Sequence, residues 1–77
     1  RKIPFEEIKG FNEKVDEMRR RLGGNGRIFI RYSGTEPLLR LLVEGEEEAF
    51  VREIAADIIE HYKRYGGEFD EKSKVRN

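Results

Sequence analysis

Apolar side chains recur at helical spacing in two stretches of the chain, one near each end. The first set, separated by four, three and four residues, is Phe11, Val15, Met18 and Leu22. This spacing predicts a helix that starts at about Gly10 and ends before Gly23. The second set is Val51, Ile54, Ala55, Ile58, Ile59 and Tyr62. It predicts a second helix that runs to about Tyr65 and is stopped by Gly66 and Gly67.

Two short apolar runs, residues 27–32 and 38–44, lie between the predicted helices. Both are rich in β-branched or bulky side chains, which favours strands. Leucine falls on both faces of the second run, as in a central strand or in a strand whose second face is covered by another part of a protein. The turn between the runs is short enough for an antiparallel hairpin.

The order helix, strand, loop, strand, helix predicts an α+β fold, a two-layer sandwich in which a small antiparallel sheet packs against two helices. Two strands alone would be marginal, so we expect a third from residues 1–5 or from the C-terminal residues. Residues 1–67 are predicted to form the domain. Residues 68–77 are mostly charged and polar, and they are predicted to form a C-terminal tail.

Composition narrows the class of protein further. The chain has 77 residues, enough for one small domain. Its formal net charge is zero, which argues against a general nucleic-acid binder. It has no cysteine, so disulfides and thiolate metal sites are excluded, and we expect a cytoplasmic location. Its apolar runs are too short to span a membrane, so no membrane partner is expected.

The turn between the predicted strands carries the candidate functional residues. Those residues are Arg31, Ser33, Gly34, Thr35 and Arg40. Two guanidiniums, two hydroxyls and backbone N–H groups on one turn indicate a binding site for a doubly charged oxyanion. Gly34 either lets the ligand approach the backbone or takes a positive φ. Two plainer interpretations remain: a tight turn flanked by exposed arginines, or a helix capping box formed by Ser33 and Glu36.

The string Arg31-x-Ser33-Gly34-Thr35-Glu36-Pro37, followed by Arg40 and Val43-Glu44-Gly45-Glu46, resembles the phosphate-binding loop of the α-D-phosphohexomutases. The resemblance covers roughly residues 3 to 65. It implies a small sheet packed against two helices, and in the family a further strand normally precedes the first helix. It also implies that the five candidate residues bind the substrate phosphate that is not being transferred, while Glu36 and Pro37 shape the turn.

The rest of the family's chemistry is expected elsewhere. By resemblance, the phosphoserine and the aspartates that hold Mg²⁺ belong to other domains, so we expect no catalytic residue, no metal site and no cofactor in this chain. The partners implied are a phosphosugar substrate and the other domains of a parent enzyme, and the isolated domain should be inactive. His61, beside the second apolar stripe, is expected to be surface or partly packed.

Two alternatives stay open at this point. The chain could be the same domain of a family member that acts on a different hexose phosphate. It could also be a free-standing α+β module that uses the loop to bind a phosphorylated partner or RNA. Neutral charge and the absence of aromatic stacking platforms on the strands argue against RNA. An open sheet face would favour a domain of a larger enzyme, whereas full coverage of Phe29, Leu38 and Leu42 would favour the free-standing module.

Overall fold

The computed structural model describes residues 3–34 and 38–67 and the backbone of residues 74–76. The helices are α1 (Phe11–Leu22) and α2 (Glu48–Tyr65), and the strands are β1 (Arg27–Tyr32), β2 (Leu39–Glu44) and β3 (Lys74–Arg76). A short 3-10 helix, Phe5–Glu7, precedes α1. Both helices lie where the apolar periodicity predicts them, and the α+β prediction is confirmed.

Glycines set both ends of α1. Gly10, at the N-cap, has a φ of 70°, and Gly23, after the last turn, has a φ of 76°. Both values lie in the left-handed region that residues with a side chain rarely adopt. The N–H of Gly23 donates to the carbonyl of Arg19 at 3.1 Å, which satisfies one of the last carbonyls of the helix.

The strands form one sheet in the order β1-β2-β3. β1 and β2 are antiparallel, as the hairpin prediction requires, with Arg27 opposite Glu44 and Tyr32 opposite Leu39. β3 pairs with β2 in parallel, so the sheet is mixed. The third strand therefore comes from the second of the two expected sources, within residues 68–77. The boundary at residue 67 stays a prediction.

The core lies between one face of the sheet and the two helices. Alternation along the strands turns Ile28 of β1 and Leu39, Leu41 and Val43 of β2 toward the helices, where all four are buried. The helices contribute the apolar stripes that the sequence predicts. The buried helical residues are Phe11, Val15, Met18, Val51, Ile54, Ala55, Ile58 and Tyr62. α2 packs on β2 and β3, and α1 packs on β1 and α2. Neither of the two described helices packs on the opposite face of β1 and β2.

Arg21 connects the two helices at the surface. Its guanidinium lies 3.7 Å from a carboxylate oxygen of Glu53 and 3.7 Å from one of Asp57, both on α2. Its carbon Cζ lies 5.4 Å from the centroid of the Phe50 ring. These contacts are partly exposed, so each stabilises the helix pair only modestly.

Candidate oxyanion site

The candidate site is the loop that joins β1 to β2. The N–H of Ser33 donates to the carbonyl of Leu38 at 2.8 Å, so the hairpin pairing extends one step past the strands and closes the loop. Thr35, Glu36 and Pro37 lie outside the described residues. β2 begins at Leu39, so no described residue between Ser33 and β2 is helical, and the Glu36 that a capping box needs lies outside the described residues.

Arg31 and Arg40 are direct cross-strand partners. Directly opposed residues of an antiparallel pair project their side chains from the same face of the sheet. The bond from Ser33 to Leu38 marks that pair as hydrogen-bonded, and by alternation the Arg31–Arg40 pair is hydrogen-bonded too, with Cα atoms about 5.5 Å apart. Both arginine side chains therefore project from the sheet face on which neither described helix packs.

This open face consists of three cross-strand pairs with different character. Arg27 lies opposite Glu44, so the first pair combines opposite charges. Phe29 lies opposite Leu42, and this pair is apolar. The Arg31–Arg40 pair, next to the loop, is doubly positive. Like charges directly opposite each other repel, and an anion between the guanidiniums would attract both of them.

Aromatic packing on the helix-facing side of the sheet fixes the β1 end of the loop. Tyr32, the last residue of β1, stacks on Phe5 with ring centroids 5.0 Å apart, and its hydroxyl donates to the carbonyl of Ile3. Phe11 contacts both Phe5 and Tyr62, each at 5.6 Å between centroids. Burial, together with the Tyr32 hydroxyl beside it, raises the pKa of Tyr62 well above its ordinary value. This aromatic cluster anchors the C-terminal end of β1, where the loop begins, to α1 and α2.

The structure brings four of the five predicted site residues onto one hairpin end. Arg31 and Gly34 are exposed, Arg40 is half-buried, and Ser33 is only 8% exposed. The N–H of Ser33 is used in closing the loop, which leaves its hydroxyl as the group that a ligand could use. Thr35 falls among the residues that the structure does not describe.

Gly34 is not required by the fold. Among the described residues, positive φ values occur at Gly10 and Gly23 and not at Gly34. A Cβ built on Gly34 would meet no atom within 4 Å. Of the two roles expected from the sequence, the special backbone conformation is therefore excluded, and room for a ligand beside the backbone remains.

Candidate metal ligands do not cluster in the described part of the chain. It contains no group of three or more His, Asp or Glu side chains that could hold a metal ion. His61 is half-buried, and its Nε2 lies 2.7 Å from the carbonyl of Lys9, to which the protonated nitrogen donates. This bond ties α2 to the segment before α1, so the partly packed position predicted for His61 is confirmed. No helix among the described residues has the length and apolar character needed to cross a bilayer.

Fold and site together define a class of protein: a small α+β domain that presents paired arginines on a hairpin suited to an oxyanion. A family model described as phosphoglucomutase/phosphomannomutase, C-terminal domain, matches residues 1–61. The chain therefore belongs to this family, the α-D-phosphohexomutases, and corresponds to its C-terminal domain.

The chain is also similar to curated proteins named phosphoglucosamine mutase. The phosphoglucosamine mutase of Bdellovibrio bacteriovorus is 43% identical over 58 residues, which are 75% of this chain and 13% of that protein. That of Desulfovibrio desulfuricans is 45% identical over 64 residues, 83% of this chain and 14% of the relative. That of Brucella ovis is 46% identical over 54 residues, 70% of this chain and 12% of the relative. The chain thus spans a small part of each relative's length. No solved structure gives a significant match.

Proposed function

We propose that this chain is the substrate-phosphate-binding domain of a phosphoglucosamine mutase, which interconverts glucosamine 6-phosphate and glucosamine 1-phosphate. The domain binds the phosphate that is not being transferred and catalyses nothing by itself. The observation that carries the proposal is the direct pairing of Arg31 with Arg40 beside the loop.

The paired arginines suit a phosphate for two reasons. Each guanidinium is planar and presents several donors, so it can bind two phosphate oxygens at once. Their strand pairing brings the two side chains to the same face, so the guanidiniums can reach one dianion from both sides. The backbone of Gly34 and the hydroxyls of Ser33 and Thr35 would complete the set of donors.

Phosphate binding at this site would act on catalysis from a distance. A phosphate held by the domain fixes one end of the sugar, so binding energy remote from the reacting oxygen helps to position that oxygen. By the family resemblance, a phosphoserine and a Mg²⁺ held by aspartates supply the transfer chemistry from other parts of a longer protein, in the cytoplasm. The role of this chain is to bind and orient.

The choice of glucosamine rests on the names of the relatives, all of them phosphoglucosamine mutases. The same domain of a phosphomannomutase or a phosphoglucomutase is the alternative, since the family description covers both. A free-standing module is less well supported, because Phe29 remains 49% exposed on the open face. Leu38 and Leu42 are half-buried, so that face is only partly covered by the chain's own residues.

The test is an NMR titration of the 77-residue chain with glucosamine 6-phosphate, inorganic phosphate and unphosphorylated glucosamine. We expect both phosphates to shift the backbone signals of Ser33 and Gly34 and the guanidinium signals of Arg31 and Arg40. The bare sugar should leave them in place. If these signals do not shift at millimolar phosphate, or if the bare sugar shifts them equally, the proposal is refuted.

A further inference from the structure

Phe29 is a large apolar side chain that the fold leaves uncovered. It is 49% exposed, and it projects from the open face of the sheet, opposite Leu42. The core needs neither its ring nor its volume, because the neighbouring residues Ile28 and Ile30 supply the helix-facing side of β1. The expectation that the strands carry no aromatic stacking platform is therefore wrong at Phe29, and an exposed ring in the middle of a strand is a candidate for contact with a ligand.

The position of Phe29 relative to the arginines suggests which ligand. Phe29 precedes Arg31 by two residues, so both side chains project from the same face, about 7 Å apart along the strand. The apolar pair Phe29–Leu42 therefore adjoins the doubly positive pair Arg31–Arg40. A ligand that carries both a dianion and a compact body with apolar C–H surface would match both pairs at once.

A hexose phosphate has this form. Its phosphorus is joined to the ring through one oxygen and one exocyclic carbon, a few bonds of about 1.5 Å each. A phosphate between Arg31 and Arg40 can therefore place the sugar ring over the adjacent cross-strand pair. Axial C–H groups give one side of the ring a weakly positive apolar surface, which complements the negative face of an aromatic ring.

We propose that Phe29, supported by Leu42, is a platform for the hexose ring of the substrate whose phosphate lies between Arg31 and Arg40. The inference rests on the proposed function and adds a sugar contact to it. Phe29 offers no hydrogen-bonding group, so it cannot read the configuration of the hydroxyls. Phe29 therefore increases the affinity for any hexose phosphate, whereas the affinity for inorganic phosphate does not depend on it.

The experiment compares the dissociation constants of glucosamine 6-phosphate and inorganic phosphate for the wild-type chain, Phe29→Ala and Phe29→Tyr. Phe29→Ala should weaken the binding of the sugar phosphate about three- to tenfold, the range for a lost aromatic contact. The affinity for inorganic phosphate should stay within about twofold of the wild-type value. Phe29→Tyr keeps the ring and should bind like the wild type. In the wild-type complex, nuclear Overhauser effects should connect the Phe29 ring protons with the C–H protons of the sugar.

The two ligands separate this inference from the function on which it rests. If inorganic phosphate binds at the arginines and Phe29→Ala does not alter the affinity for the sugar phosphate, the proposed role of Phe29 is wrong, whereas the proposed phosphate site is retained. An equal loss for both ligands would also overturn the platform, because it would indicate a general disturbance of the sheet face. If inorganic phosphate does not bind to the wild type, both proposals fail.

Discussion

Replacing Arg31 with glutamine should stabilise the free protein, because Arg31 lies directly opposite Arg40 on a solvent-facing surface. Two unit charges about 7 Å apart in bulk water repel by about 0.6 kcal/mol. A screening length of about 30 Å at 0.01 M salt leaves most of that repulsion, about 0.5 kcal/mol. For a domain of this size, a gain of that amount raises Tm by about 2–4 °C.

Arg27→Gln is the matched control, because Arg27 lies on the same strand and the same face but opposite Glu44. This substitution removes an attraction of similar size, so Tm should fall where Arg31→Gln raises it. The difference between the two variants cancels the shared effect of placing glutamine in a strand. It should reach about 1 kcal/mol, or about 4–8 °C in Tm.

Thermal unfolding followed by circular dichroism at 0.01 M and 0.15 M salt measures these differences. The difference between the variants should shrink by about half at the higher concentration, where the screening length is about 8 Å. Phosphate at ten times its dissociation constant should stabilise the wild type by about 1.4 kcal/mol and Arg31→Gln by much less. A drop in Tm for Arg31→Gln at low salt, similar to that of Arg27→Gln, would refute the electrostatic argument.

Two further predictions concern the fold behind the site. Gly26→Ala should lower the free energy of unfolding in urea by about 1–3 kcal/mol, because the added Cβ would lie 2.3 Å from Cγ of Leu22 and 2.8 Å from the carbonyl oxygen of Glu44. Gly24→Ala is the control and should cost much less, because its Cβ meets no atom within 4 Å. Equal losses in the two variants would contradict the steric cause. The raised pKa of Tyr62 means that the folded state holds this proton more tightly than the unfolded state, so its contribution to stability is complete below a pH of about 10 and declines as the pH rises further. Tyr62→Phe should flatten this decline in stability between about pH 9 and 11.5, a range around the ordinary tyrosine pKa. Urea unfolding at several pH values measures the slope, and an unchanged slope would contradict the assignment to Tyr62.

The helices and the hairpin could be predicted because their signals are local. The apolar period of α1, with Gly10 before it and Gly23 after it, fixes the helix without reference to any other element. The same holds for the two short apolar runs on either side of the loop. Since alternation along the strands and a short loop together restrict the register, the arginines at the two shoulders of the loop could be recognised as neighbours.

The third strand and the exposed face depend on contacts that the local pattern does not encode. β3 is held to β2 by backbone pairing, and its three residues, one apolar side chain between two basic ones, are too few for a strand to be predicted from alternation. Leucines on both faces of β2 left open whether the second face of the sheet is covered within the chain, so the sequence did not decide how exposed Phe29 is. The contacts of Arg21 with α2 were likewise hidden, since a basic residue in the last turn of a helix is equally typical of a solvated helix end.

The proposed function requires that Arg31 and Arg40 bind one phosphate between them. The measurement that tests it most directly is the dissociation constant of inorganic phosphate for the wild-type chain, Arg31→Ala, Arg40→Ala and Arg27→Ala. A lost charge-assisted hydrogen bond costs about 1.5–3 kcal/mol, so either substitution in the pair should weaken binding tenfold or more. Arg27→Ala should leave the affinity within about twofold of the wild type, because the Arg27–Glu44 pair lies four cross-strand pairs from Arg31–Arg40. Unchanged affinity in Arg31→Ala and Arg40→Ala, or an equal loss in all three variants, would contradict the claim.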